Sequence, residues 1–186
     1  MNTEKENQNI LDSEKIFATT INNYLNNNNP NWKIIKSEFK YCYIDFILIN
    51  LNNLYITHLE YKERNYCYGY THYESYFISL RKYEAIKKCY NNCYIVWDFT
   101  HNTNNDNEFY YIKYDEELFN SFEKDYNKSR LLIPSNLCKT LFENLMTEMV
   151  DMISNKKRAE AYGGNSVNKN NILCCKSRKY SYCMFI

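Results

Sequence analysis

The fold turns on three neighbouring stretches: YIDFILIN (43–50), LYITHLEYKER (54–64) and SYFISLRKYEAIKK (75–88). The first two are apolar runs with the short spacing of β-strands, and Asn52-Asn53 between them is a turn signal. They read as an antiparallel hairpin. Strand side chains alternate faces, so Glu60 and Lys62 share one face and Tyr61 takes the other. Asp45 interrupts an otherwise apolar strand interior, where an unpaired charge is costly. If the two strands pair, Asp45 comes opposite the later part of the second one. Two carboxylates and an ammonium then meet in a small volume. Carboxylates that close repel unless a cation stands between them, and a hard divalent cation such as Mg²⁺ suits that arrangement.

The pattern Asp45…Glu60-Tyr61-Lys62 resembles the D…ExK signature of the PD-(D/E)XK nuclease superfamily, the restriction-endonuclease-like fold. The likeness spans roughly residues 10–100, where a helix, three strand-like runs, a helix and a fourth strand follow one another as in that fold. It implies an α/β (α+β) domain with a central mixed sheet flanked by helices, and metal-dependent cleavage of phosphodiester bonds, mostly in DNA. Carried onto this chain, it implies Asp45 and Glu60 as ligands of Mg²⁺ or Mn²⁺, with the backbone carbonyl of Tyr61 beside them. Lys62 would orient the attacking water and stabilise the transition state. Superfamily members often carry a helical Glu near the metal, and Glu14 resembles it; the alternative is a partner for the helix dipole. A polar residue early in the second helix often reaches the site. Ser79, Arg81 and Lys82 resemble that position, and Lys82-Tyr83 matches a recurrent Lys-Tyr pair. Many members dimerise to cut both strands, so a homodimer is the implied assembly.

Arg64, Arg81, Lys82 and Lys87 gather positive charge around this region, as phosphate contact requires; a solvated basic helix face is the competing reading. His58 shares the face of Glu60 and is either a general base or a polar strand residue. The loop at 65–75 is rich in Tyr and His. It can stack on bases, or simply reflect a chain of 186 residues holding 20 Tyr.

Composition bounds the rest. The net charge of +1 excludes a highly basic nucleic-acid-binding protein, and 45% apolar and aromatic residues exclude wholesale disorder. No apolar stretch reaches the 18 residues of a membrane span, and the polar start MNTEKENQN lacks the apolar segment of a signal peptide. The expectation is an intracellular protein in which the eight cysteines are reduced, partly buried thiols rather than zinc ligands.

Further elements are expected as follows. A first helix covers 12–25, capped by Asp12 or Ser13, with a stripe of Ile16, Phe17, Thr20, Ile21 and Tyr24. Asn26 to Asn29 reads as loop. Strands cover 32–39, 41–50, 54–62, 76–79, 93–99, 109–114 and 130–133, with a helix at 80–90. The run CYIVWDF (93–99) is apolar throughout and so central in its sheet. Residues 115–128 read as irregular or weakly helical, and a long helix over 137–161 ends at Gly163-Gly164. The organisation expected is a flexible start (1–11), one nuclease-like domain (12–162) and an Asn- and Lys-rich tail (163–186). The tail ends Cys183-Met184-Phe185-Ile186, where Phe185 and Ile186 argue against prenylation. A nuclease-fold scaffold without catalysis is the second functional reading. It would bind nucleic acid or a protein partner, as a viral accessory or virion component does.

Overall fold

The computed structural model describes residues 3–37, 44–64, 74–89, 92–99 and 109–141, with side chains from Leu11 onward and Cys89 by its backbone alone. One compact unit spans Met1–Leu141; Phe142–Ile186 forms a second unit that lies outside the described residues. With it lie most of the expected 137–161 helix, the tail and the C-terminal cysteine motif, and the loop at 65–73 is outside them too.

The fold is mixed α+β. A six-stranded mixed sheet runs in the order Trp32–Lys36 (β1), Phe46–Asn50 (β2), Ile56–Glu63 (β3), Cys93–Asp98 (β5), Phe109–Lys113 (β6) and Lys139–Thr140 (β9), and a three-stranded sheet in the order Ser75–Ser79 (β4), Arg130–Pro134 (β8) and Lys124–Asp125 (β7). Helix α1 (Thr3–Asn28) leads into β1 (Trp32–Lys36), β2 (Phe46–Asn50) and β3 (Ile56–Glu63), three antiparallel neighbours. The chain then crosses through β4 (Ser75–Ser79) and α2 (Leu80–Cys89) to β5 (Cys93–Asp98), which lies parallel to β3. Strand β6 (Phe109–Lys113) pairs antiparallel with β5. After it come α3 (Glu116–Asn120), β7 (Lys124–Asp125), β8 (Arg130–Pro134), a 3₁₀ turn at Ser135–Leu137 and β9 (Lys139–Thr140).

The β2–β3 hairpin has the expected antiparallel register, with Phe46 opposite Leu59 and Ile49 opposite Ile56. Its turn is held by Asn50, whose side-chain oxygen accepts from the N–H groups of Asn52 and Asn53 at 3.0 and 3.3 Å. Strand β3 begins two residues later than the apolar run because Leu54 closes the turn at φ 56°, outside strand geometry. Strand β5 is buried at every position, as its apolar run requires.

The sheet is covered on both faces. On one side α1 lays Phe17, Ile21 and Leu25 over it, all almost fully buried. The Phe17 ring stands 4.7 to 5.2 Å from those of Tyr61, Phe46 and Phe109. The other side carries a cluster in which Ile95 and Trp97 of β5 meet Tyr83 and Ile86 of α2 and Tyr76, Ile78, Leu131 and Ile133 of the small sheet.

Several expectations are corrected. Helix α1 starts far upstream of residue 12, so Ser13 is a buried mid-helix residue rather than a cap, and Glu14 is not in a first turn. Ile16 is 62% exposed; the true stripe is Phe17, Ile21 and Leu25, spaced by four. The Asn run is helical through Asn28, whose side chain donates to the Tyr24 carbonyl at 2.8 Å. Strand β2 starts at Phe46, leaving Asp45 at a bend just before it. Of the two readings of 115–128 the helical one holds at α3, which Asp115 caps by accepting from the Leu118 N–H at 2.8 Å, and a short strand, β7, follows it. Residues 137–140 are turn and strand, so a helix over 137–161 cannot begin where the apolar spacing placed it.

Strand β1 is an edge of its sheet, and α1 closes that edge at Ile34. The Asn22 amide accepts from the Ile34 N–H at 3.0 Å and donates to the Ile34 carbonyl at 3.2 Å. The Asn29 carbonyl takes the Trp32 N–H at 3.0 Å. Asn22→Leu keeps the size of the side chain and raises its helix propensity but removes both bonds. It is expected to cost about 1–2 kcal/mol, measured by urea unfolding followed by circular dichroism; an unchanged midpoint would contradict the clamp.

Candidate functional site

Strand alternation in β3 sends Thr57, Leu59 and Tyr61 toward α1 and His58, Glu60 and Lys62 toward α2. The Glu60 side chain is fully buried there, and two ammonium groups meet it. Lys62 Nζ lies 2.5 Å from Glu60 Oε1, and Lys82 Nζ lies 2.6 Å from Oε2. Asp45 follows the buried Ile44 and comes to the same place from the neighbouring chain segment. Its Oδ2 accepts the Tyr61 N–H at 2.9 Å, and its Oδ1 is 3.6 Å from Lys82 Nζ. Asp45 thus supplies by side chain the acceptor that the β2 backbone would supply had the strand started earlier. In a strand the N–H and C=O of one residue point to the same side, so the Tyr61 carbonyl faces the Asp45 side as well.

Lys82 is held early in α2 by Ser79, whose hydroxyl accepts the Lys82 N–H at 3.2 Å as a helix cap. Burial pushes the Glu60 carboxyl up to about 7; Lys62 opposes this, Asp45 adds to it, and Lys82 opposes it. Burial acts to lower Lys82, but the charges of Glu60 and then Asp45 outweigh it and hold the ammonium above its ordinary range. Beneath the pair, Cys93 is a fully buried free thiol, pushed well up by burial and then by the charge of Glu60. Burial holds His58 below the usual imidazole range, and its Nδ1 is 3.3 Å from the Asn92 carbonyl.

Asp45, Glu60, Lys62 and Lys82 are therefore brought together. Glu14 is not: it pairs at 2.5 Å with Lys36 of β1, the strand against which α1 packs. Two of the expected phosphate-binding cations, Arg64 and Lys87, have partners within the chain, the second at the surface. Arg64 donates to the Phe77 carbonyl at 2.7 Å, with its guanidinium 4.2 Å from the centre of the Phe77 ring. Lys87 meets Asn120 Oδ1 at 3.1 Å and Glu116 at 3.4 Å. Arg81 lies exposed on α2. Two structurally important residues were missed in the sequence. Asn92 ties the start of β3 to the start of β5 by donating to Tyr55 Oη, the Ile56 carbonyl and Thr57 Oγ1 at 2.9, 3.1 and 2.5 Å. Asp98 accepts the buried Tyr61 hydroxyl at 2.5 Å. A single Asp at the end of an apolar strand was a visible signal for the second.

Comparison with protein-family models, with curated proteins and with solved structures gives no match to this chain. The site stands on its own chemistry. Two carboxylates and a strand carbonyl form a hard oxygen donor set that suits Mg²⁺ or Mn²⁺. Among the described residues no three His, Cys, Asp or Glu side chains gather in one place. A cation here would have those two acids and the carbonyl as its protein ligands. No helix among the described residues is long and apolar enough to cross a membrane.

The raised Glu60 carboxyl makes stability depend on pH. Below about 4.5 the group is protonated in both folded and unfolded chains; between about 4.5 and about 7 only the folded chain keeps the proton. Stability contributed by this group is present at low pH and is lost as pH rises to about 7, by about 3 kcal/mol in all. Denaturant unfolding of wild type and Glu60→Gln between pH 4.5 and 8 should show this slope in the first and its loss in the second.

Proposed function

We propose that the chain is a metal-dependent phosphodiesterase that cleaves nucleic acid, most readily DNA, at Asp45, Glu60 and Lys62. The observation that carries this reading is the convergence of Asp45 and Glu60, from adjacent chain segments, on one cation, with a second lysine two residues beyond Glu60. The order of helix, three antiparallel strands, helix and parallel strand supports the likeness to the restriction-endonuclease-like fold.

In this reading Asp45, Glu60 and the Tyr61 carbonyl hold Mg²⁺ or Mn²⁺. Bound there, the metal lowers the pKa of its water and neutralises charge on the phosphate. Lys62 keeps its ammonium beside Glu60, where it orients the attacking water and stabilises negative charge building on the phosphate. Burial of Glu60 keeps bulk water from competing for these contacts. Lys82 adds a second positive charge near the reacting phosphate. Arg81 and Lys87, both exposed on α2, are placed to meet a nucleic-acid backbone.

A second reading is favoured by a specific observation: the four charges of the cluster satisfy one another, and Arg64 is engaged with Phe77. A scaffold that binds nucleic acid or a protein partner without cutting would look the same.

Labelled single-stranded, duplex and branched DNA, incubated with Mg²⁺ or Mn²⁺, separates the two. The nuclease reading expects cleavage of at least one substrate, lost about 100-fold or more in Lys62→Ala and Glu60→Gln, with circular dichroism unchanged. Full cutting by Glu60→Gln would refute the site. Binding of DNA without cleavage in any metal would favour the scaffold.

A further inference from the structure

Both acids of the pair turn one oxygen toward the same ammonium. Lys82 Nζ lies 2.6 Å from Glu60 Oε2 and 3.6 Å from Asp45 Oδ1. The other oxygen of each acid is taken elsewhere: Glu60 Oε1 by Lys62 at 2.5 Å and Asp45 Oδ2 by the Tyr61 N–H at 2.9 Å. The pair therefore has one direction in which it shares a cation, and Lys82 stands in it. A divalent cation that takes an oxygen from each acid needs the same two atoms. Mg²⁺ binds oxygen at about 2.0–2.1 Å, closer than an ammonium does, so the two cannot occupy the gap together.

Charge strengthens the exclusion. With both acids ionised, the four side chains are neutral as a group. A divalent cation added with both lysines in place leaves an excess of two positive charges around a residue with no solvent exposure. Withdrawal of one ammonium into solvent halves that excess. Of the two acids Lys62 meets Glu60, whereas Lys82 meets both. The Lys82 backbone is fixed by Ser79, but its side chain is 22% exposed and has four rotatable carbons along which to swing outward.

We propose that Lys82 is a tethered competitor for the metal, holding the Asp45–Glu60 pair until a divalent cation displaces it and so setting the affinity of the site for that cation. The inference rests on the metal-dependent reading above.

Binding of Mn²⁺ alone to the full chain, followed by the electron paramagnetic resonance signal of free Mn²⁺, tests it. Lys82→Gln should bind Mn²⁺ at least tenfold more tightly than wild type, and Glu60→Gln at least tenfold more weakly. Equal or weaker binding by a folded Lys82→Gln, with wild-type binding still abolished by Glu60→Gln, overturns the competitor and leaves the metal site standing. Binding by none of the three overturns both. A second measurement uses wild type only, and decides the matter if Lys82→Gln does not fold. Amine labelling read by mass spectrometry should rise at least threefold at Lys82 when Mn²⁺ is added. Unchanged labelling at saturating Mn²⁺ overturns the proposal.

Discussion

A carboxylate with no exposure to solvent sits on the fourth-from-last residue of β3, and two lysines close over it. Removing such a charge from water costs several kcal/mol, and the cost is met only when cations and hydrogen bonds surround it well. Lys62 comes from the same strand and adds no tertiary constraint. Lys82 comes from α2, so its contact ties the first turn of that helix to the centre of the sheet. The crossover from β3 to β5 is thereby anchored where it begins to pack. Asp45 is drawn in by the same ammonium and by the Tyr61 N–H, which sets the point where the chain turns into β2.

Strand β3 serves two layers at once. Glu60 belongs to the side covered by α2 and the small sheet. Tyr61, one residue later, belongs to the side covered by α1, where its ring packs on Phe17 and its hydroxyl reaches the buried Asp98 carboxylate. That partner pushes the Tyr61 phenol, already raised by burial, still further up. Buried polar groups thus stand on both faces of the same strand pair, β3 and β5, and each is held by a named neighbour. The apolar shell of Ile95, Trp97, Tyr83 and Ile86 keeps the Glu60 side dry, which makes every contact there stronger than it would be in water.

Much of this was legible in the letters. Two apolar runs with an Asn-Asn turn fix a hairpin, and period-two alternation puts Glu60 and Lys62 on one face whatever the rest of the chain does. The apolar 93–99 run has to lie at the centre of a covered sheet. Other features were hidden because they depend on partners distant in sequence. The apolar pattern around Asp45 continues past the true start of β2, since Ile44 is buried by the tertiary core rather than by strand pairing. The upstream part of α1 is polar and shows no stripe to betray a helix. Lys82 was legible as a residue near the site but not as the cation between its acids, because only the packing angle of α2 decides where a four-carbon stem ends. The pairing of β4 with β8, across about 50 residues, leaves no local trace.

The clamp formed by Asn22 has a consequence for how copies of this chain can meet. Edge strands invite further strands, because their outward N–H and C=O groups form an open template. Here the template is interrupted at its middle residue by a side chain from the protein's own helix, and its first N–H is held by the Asn29 carbonyl. A second molecule cannot extend the six-stranded sheet through β1 without first lifting α1 and uncovering Phe17, Ile21 and Leu25. Any symmetric pairing at that side has to be built from side-chain surfaces.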